Sequence, residues 1–212
     1  MLKEHRDEYD ILRVLGTVLV VMGHSAYTTM LTATGGIEVD VSYAPLQSVI
    51  LLFVRLIYSF HMPLFVALSG ALFYLTQTSE QPFKLMVAKK AKRLLVPFLL
   101  TSALWAVPLK LLSGYWANSE NPIHDIIVGQ FVLFDNNHLW YVVSLFWIFC
   151  LFWIMCKITN NWVVIGFVCV ACLIIAQFIP YNYFGIQRAL SHAIWFWWGV
   201  YMKRIEQQYQ NS

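Results

Sequence analysis

The first apolar segment of the chain carries two side chains that are suited to chemistry, Arg13 and His24. A neutral imidazole can take up a proton near neutral pH, and a guanidinium binds carboxylate or phosphate oxygens. Eleven residues of an α-helix make three turns plus about 20°, so both side chains lie on one face, roughly 16 Å apart along the axis. Such a face suits a substrate whose anionic part stays at Arg13 while its reactive end reaches His24. Alternatively, Arg13 extends to lipid headgroups and His24 hydrogen-bonds a neighbouring helix; the spacing alone leaves both open.

A third ionisable side chain, His61, lies near the middle of the second apolar segment, in YSFHMPLFVALSGALF. Ionisable residues are costly in lipid and by default indicate a function or a specific polar partnership. Pro63 has no amide hydrogen and frees the carbonyl of Ser59, so a kink is expected, and Ser69 and Gly70 allow another helix to approach closely. This pattern predicts a cavity wall that includes His61; a hydrogen bond from His61 to a neighbouring helix is the alternative.

Four basic residues form a cluster in KLMVAKKAKRLLVPF, namely Lys89, Lys90, Lys92 and Arg93. They can anchor the cytoplasmic end of a helix and attract anionic lipid. They can also bind the phosphates of a nucleotide-like donor, because Lys and Arg neutralise phosphate oxygens. The pattern alone favours the anchor.

A further polar group, Asn137, His138 and Trp140, begins a later apolar segment in FDNNHLWYVVSLF. Asn and His beside Trp could bind a hydroxylated acceptor. However, Trp is ordinary at a membrane interface, and Asn is ordinary at the N-cap of a helix. His124 and His192 are typical of loop or interface residues, and we assign them no role.

The cysteines do not predict a metal or redox site. Cys169 and Cys172 form a C-x-x-C, but it lies within the apolar run GFVCVACLIIAQF, with no His or acidic residue nearby. We therefore expect these thiols to pack as small buried side chains.

The composition indicates which elements must position these residues. Hydrophobic residues make up 59% of the 212, charged residues only 12%, and the mean hydropathy is +0.63, whereas a soluble domain has about 25% charged residues. This excludes a soluble domain, and the net charge of +3 is too small to indicate a nucleic-acid partner. Six segments approach the length of about 20 apolar residues that a membrane span needs: 11–31, 49–75, 94–112, 138–157, 162–179 and 189–202. We predict an all-α, polytopic transmembrane helix bundle of about six spans, formed by a single domain over 1–212.

The positions of Lys and Arg predict the orientation. The N-terminus, the C-terminus and the loop between the second and third segments, which contains the basic cluster, are rich in Lys and Arg, whereas 35–48 and 113–137 contain neither. Because cytoplasmic loops carry the excess of positive charge, both termini are predicted to be cytoplasmic. The outer segment 113–137 includes a half-apolar stretch, IHDIIVGQFVLF, which predicts an interfacial or re-entrant helix.

Several of these motifs occur together, in the same order, in one family. YDILRVLGTVLVVMGHS resembles the opening helix of acyltransferase family 3, integral-membrane enzymes that modify bacterial surface glycans and in which ten residues separate an Arg or Lys from a His. SFHMPLFVALSGALF is similar to the second helix of that family, KKAKRLLVPFLL to the start of the third, and HLWYVVSLF to the start of a later helix. The resemblance extends from about Tyr9 to Phe146, and WFWWGVYMKR shows a weaker likeness.

The resemblance implies transfer of an acyl group, most often acetyl, from cytoplasmic acyl-CoA to a hydroxyl of a cell-surface or lipid-linked carbohydrate at the bacterial inner membrane. It implies that His24 is the general base, with a covalent acyl-imidazole as the alternative, and that Arg13 orients the donor. His61 would stabilise charge on the thioester oxygen, and Arg93 with its neighbours would contact the CoA phosphates. The expected partners are membrane lipid, acyl-CoA and the acceptor, with no permanently bound cofactor.

Members of this family usually continue with further C-terminal helices, so this chain is expected to be a short form or a fragment that lacks them. Two other functions stay open. One is a carrier or flippase-like protein that moves a lipid-linked or acyl-bearing molecule along the same polar face. The other is an inactive, truncated subunit that assembles with other chains or in an oligomer.

Overall fold

The computed structural model of the chain describes the backbone of residues 4–27, 44–133 and 139–210. Side chains are described over 9–23, 55–132 and 139–210, and at Val49, Leu52 and Phe53. Throughout these ranges the regular elements are helices, and no strand occurs. The predicted all-α fold class is therefore confirmed.

Seven helices make up the described part of the chain. In chain order they are α1 (Glu4–Tyr27), α2 (Ala44–Leu75), α3 (Phe83–Leu112), α4 (122–133), α5 (Trp140–Ile158), α6 (Trp162–Ala176) and α7 (Ile186–Gln210). Each of the six predicted spans overlaps one of these helices, and α4 is the helix expected in the outer segment. One prediction is wrong, because the basic cluster lies within α3 and not in a loop before it.

Three helices in the described ranges contain a stretch that is long and apolar enough to cross a membrane: Arg55–Leu75, Phe83–Leu112 and Trp140–Ile158. α6 is apolar but shorter. Large apolar side chains face outward, such as Leu104 and Phe167, each 72% exposed. A surface of this kind suits lipid and not water. The chain is a membrane protein, and α1, α6 and α7 lie at the other three predicted spans, consistent with a total of about six.

The chain divides into two compact units, Met1–Leu68 and Ser69–Ser212. The first unit contains α1 and most of α2, and the second contains the end of α2 and all later helices. The side chains predicted for catalysis in α1 and α2 thus belong to the first unit. Those predicted to bind CoA and the acceptor belong to the second.

In the first unit, α1 and α2 contact each other at two glycines of α1. A Cβ added at Gly16 would lie 2.7 Å from Cζ of Phe65, and a Cβ at Gly23 would lie 3.3 Å from atoms of both Ile57 and Tyr58. The contact points move forward along α1 as they move backward along α2. The two helices are therefore antiparallel, as consecutive membrane spans must be.

The second unit has an aromatic core where the end of α2 meets α5 and α7. The rings of Phe73, Phe149, Phe152 and Phe196 lie with centroids between 4.5 and 6.3 Å apart in the contacting pairs. All four side chains are buried. Aromatic pairs at such distances contribute about 0.5–1.5 kcal/mol each beyond the area that they bury, so this cluster fixes the three helices against one another.

Gly70 allows α2 and α7 to approach backbone to backbone. A Cβ at this position would overlap the backbone carbonyl oxygen of Phe196. Only glycine fits, because the obstacle is main chain and cannot rotate away. The close helix approach predicted at this position is confirmed.

Two prolines shape α3. The helix widens into π-turns at Ala91–Leu95 and Ser102–Ala106, and Pro97 and Pro108 follow shortly after these turns. A proline cannot donate a main-chain hydrogen bond and its ring clashes with the carbonyl four residues earlier, and a wider turn relieves the clash. In the first π-turn the amide of Val96 donates to the carbonyl five residues back. The helix thereby continues through both prolines.

Candidate active site

Arg13 lies on α1 with its guanidinium paired to a carboxylate one turn earlier. Nη1 of Arg13 donates to Oδ1 of Asp10 at 2.9 Å, and the two side chains are 49% and 64% exposed. Exposed pairs within one helix contribute only about 0.3–0.5 kcal/mol. An anionic ligand can therefore take the place of Asp10 at little cost in free energy.

His24 lies in α1, which is unbroken over Glu4–Tyr27, but its side chain is outside the described residues. On a regular helix, position 13 lies about 60° around the axis from position 16, and position 24 about 80° in the same sense. Gly16 marks the face that touches α2. The common face predicted for positions 13 and 24 requires such an unbroken helix. At about 60–80° from Gly16, this face lies next to the contact with α2.

His61 is 1% exposed and hydrogen-bonded within its own helix. Its Nδ1 lies 2.7 Å from the carbonyl oxygen of Ile57, one turn back along α2, and the Tyr58 ring meets it edge-on with centroids 5.0 Å apart. Because a carbonyl only accepts, Nδ1 carries the hydrogen, and in the neutral ring Nε2 keeps its lone pair. Neutral His61 can thus accept a hydrogen bond or a proton at Nε2. It can stabilise an oxyanion only when it is protonated.

The antiparallel contact sets the depth of His61 relative to the backbone of α1. Gly23, the residue before His24, touches Ile57 and Tyr58. His61 follows Ile57 by about one turn, roughly 6 Å along the axis. Because α2 runs opposite to α1, this step leads away from His24 and toward Arg13. The first unit therefore has the buried His61 at a depth between those of Arg13 and His24, roughly 7 Å from the level of the His24 backbone.

The four residues of the basic cluster divide into two environments. Lys89, Lys92 and Arg93 have exposed side chains. Lys90 instead turns inward, with Nζ 3.5 Å from the centroid of the Phe149 ring. This cation–π contact ties Lys90 to the aromatic core. Three exposed cations thus suit phosphate or anionic lipid, and Lys90 also serves the packing of the fold.

Of the group predicted to bind the acceptor, the structure places only Trp140, since Asn137 and His138 lie outside the described residues. Cζ of Arg188 lies 4.4 Å from the centroid of the Trp140 ring, and the ring of His192 lies 5.3 Å away from it. His192 also donates from Nδ1 to the carbonyl of Arg188 at 2.8 Å. The contact of His192 with Trp140 was not predicted, although the spacing of Arg188 and His192 puts both on one helix face.

The cysteines pack as small buried side chains, as predicted for the C-x-x-C. All four are free thiols, and Cys169 and Cys172 are buried. In the ranges with described side chains, no group of three or more His, Cys, Asp or Glu residues could hold a metal ion.

Comparison with known proteins identifies the family. A family model described as an acyltransferase domain matches residues 6–212. The match includes α1 and α2, which carry the Arg13–His24 pair and His61. No curated protein and no solved structure matches the chain. Since the match extends over nearly the whole chain, the protein belongs to acyltransferase family 3.

Proposed function

We propose that this chain is a membrane O-acyltransferase that moves an acyl group, most simply acetyl, from cytoplasmic acyl-CoA to a hydroxyl of a cell-surface or lipid-linked carbohydrate. Family membership supports acyl transfer as the class of reaction. The observation that carries the proposal is the antiparallel contact of α1 and α2, in which the buried His61 lies at a depth between those of Arg13 and His24. The distribution of Lys and Arg supports an orientation with both termini in the cytoplasm, and the proposed membrane is the bacterial inner membrane.

His24 acts as the general base. Its neutral imidazole takes the proton of the acceptor hydroxyl as that oxygen attacks the thioester carbonyl. The new C–O bond forms, the C–S bond breaks, and the departing thiolate takes the proton back from the imidazolium. The products are an ester and free CoA thiol, and His24 returns to its neutral form. In the covalent alternative, the acyl group resides on His24 before the acceptor attacks.

The other predicted residues position the donor and its charge. Arg13 binds an anionic part of the donor at the cytoplasmic end of α1, since its pairing there is weak. Lys89, Lys92 and Arg93 bind the phosphates of CoA. His61, anchored through Nδ1, presents Nε2 as an acceptor, and in its protonated form it stabilises the oxyanion that develops on the thioester.

Release of free thiol distinguishes transfer from transport. Purified protein in sealed liposomes is given radiolabelled acetyl-CoA together with a glycan fraction from the membranes of the producing cells. We expect label on the glycan and an equal amount of free CoA thiol in a colorimetric thiol assay. A carrier would move labelled acetyl-CoA across the membrane without releasing thiol. An inactive, truncated subunit would neither transfer nor move it.

A further inference from the structure

The second unit contains a cavity of about 270 Å³ where the segment after α3 meets α4. Two aromatic rings, an ammonium, an amide, an imidazole and a carboxylate line this α3–α4 cavity; the residues are Lys110, Tyr115, Trp116, His124, Asp125 and Gln130. None of them belongs to the predicted acceptor group. The scarcity of Lys and Arg in 113–137 places this face outside the cytoplasm.

Gln130 forms a polar floor to the α3–α4 cavity. It is 1% exposed, its Oε1 accepts from Nζ of Lys110 at 2.9 Å, and its Nε2 donates to Oγ of Ser102 at 3.4 Å. Ser102 begins the second π-turn of α3 and is itself fully buried. A buried amide is costly unless it is hydrogen-bonded. These bonds therefore stabilise a polar side chain at a buried position, where an apolar side chain would carry no desolvation cost.

Tyr115 and Trp116 supply aromatic surface to the cavity. Their rings meet edge to face with centroids 5.4 Å apart. Nζ of Lys110 lies 4.9 Å from the centroid of Tyr115 and 5.6 Å from that of Trp116, which orients both rings. Tyr115 is 47% exposed. Trp116 is half-buried. Aromatic faces that are partly accessible can cover the apolar C–H face of a sugar ring.

Asp125 supplies a fixed carboxylate. Its Oδ2 accepts from the Ser119 hydroxyl at 2.6 Å, and its Oδ1 lies 3.2 Å from Nδ1 of His124. These hydrogen bonds, that of Ser119 foremost, hold the pKa of Asp125 below its ordinary value. Each carboxylate oxygen has two lone pairs, so Asp125 can also accept from hydroxyl groups of a ligand.

Charge and size select the class of ligand. Lys110 and Asp125 offset each other, so the cavity lacks the single sign of charge that would draw in a phosphate or a cation. Its volume of about 270 Å³ falls just below the range of about 300–1,000 Å³ that is usual for pockets of drug-sized ligands. One polar ring fits such a space better than an extended oligosaccharide does.

We propose that the α3–α4 cavity binds one pyranose ring of a neutral carbohydrate, with the apolar face of the sugar on Trp116 or Tyr115 and its hydroxyls on Asp125. This inference rests on the proposed function and assigns the recognition of the acceptor's sugar ring to this cavity. It names neutral sugars, and not phosphorylated headgroups, as the part of the acceptor that is recognised there.

Saturation-transfer NMR tests the proposal on the whole chain in lipid nanodiscs without sugar detergents. The probes are the methyl glycosides of glucose, galactose and N-acetylglucosamine, with glycerol 3-phosphate as the anionic comparison. We expect a signal from at least one glycoside, and a Kd about tenfold weaker in Trp116→Ala and in Asp125→Asn, the latter of which keeps the shape of the side chain. Tyr181→Ala, which removes another exposed ring outside the cavity, is the matched control and should bind as wild type does.

Unchanged binding in both cavity variants would overturn the proposal, as would the absence of any glycoside signal or a preference for glycerol 3-phosphate. Acetyl transfer separates this failure from failure of the proposed function. If both proposals hold, the cavity variants raise KM for the glycan about tenfold and leave KM for acetyl-CoA unchanged. Sugar binding without any acetyl transfer contradicts the proposed acyltransferase function and leaves the proposed sugar site standing. Transfer with an unchanged KM for the glycan in the variants contradicts the cavity alone.

Discussion

Two amide substitutions at His61 separate the roles of its two ring nitrogens. The amide of Asn reaches about as far as Nδ1, and the amide of Gln reaches about as far as Nε2. Nδ1 is bonded to the carbonyl of Ile57, and the ring is buried against Tyr58. His61→Asn therefore keeps the anchoring hydrogen bond and removes the group at Nε2, and His61→Gln does the reverse.

The expected magnitudes follow from these contacts. Both variants lose the edge-on contact with Tyr58, which is worth about 0.5–1.5 kcal/mol. His61→Gln also loses the hydrogen bond to Ile57, so its free energy of unfolding should be about 1 kcal/mol lower than that of His61→Asn. Activity should show the opposite order. His61→Asn has no group at the position of Nε2 that could donate to the oxyanion, and its kcat should fall about 100-fold, whereas the amide NH₂ of Gln can still donate there.

The free energy of unfolding and the rate of acetyl transfer, measured on the same nanodisc preparations, test whether stability and activity rank the two variants in opposite orders. The expected result is a more stable but less active Asn variant and a less stable but more active Gln variant. If activity instead follows stability, so that His61→Asn is the more active of the two, then His61 acts through the fold alone and Nε2 takes no part in the reaction.

Further substitutions test the packing and the outer loop. Gly70→Ala adds a Cβ that overlaps the carbonyl of Phe196, so unfolding in nanodiscs should show a loss of about 1–3 kcal/mol. Gly16→Ala, which meets only the tip of a side-chain ring, is the control and should stay within about 1 kcal/mol of wild type; equal losses would argue against the backbone contact. Ser119→Ala removes the main cause of the lowered pKa of Asp125, so a carbon-13 NMR titration should show that pKa rising toward its ordinary value. No change would mean that the hydroxyl does not stabilise the carboxylate.

Hydrophobicity predicts the helices because a membrane span requires a long apolar run, and small residues such as Gly70 reveal where helices approach closely. The position of the basic cluster was harder to predict. The charges within 89–93 interrupt the apolar pattern, so the third segment was predicted to begin at residue 94. The helix instead begins at Phe83 and continues through the π-turn at Ala91–Leu95 and past Pro97. A proline in the sequence does not show whether a helix ends at it or widens before it.

The α3–α4 cavity could not be predicted from the sequence, because it depends on side chains that are distant along the chain. Lys110 and Gln130 are 20 residues apart, and Gln130 and Ser102 are 28 apart. Helical periodicity describes the faces of one helix and not the register between two. For the same reason, the spacing of Arg13 and His24 predicts a common face, whereas only the structure shows that this face borders α2.

The central claim is that His24 removes the proton of the acceptor hydroxyl during acyl transfer. Its most direct test is the rate of acetyl transfer from radiolabelled acetyl-CoA to the glycan fraction by wild type and by His24→Ala. Met22→Ala, which lies on the opposite face of the same helix and is 44% exposed, serves as the control. We predict that kcat of His24→Ala falls about 100-fold to 10,000-fold, with acetyl-CoA binding and stability retained and with the control unaffected. Transfer by His24→Ala at the wild-type rate would contradict the account.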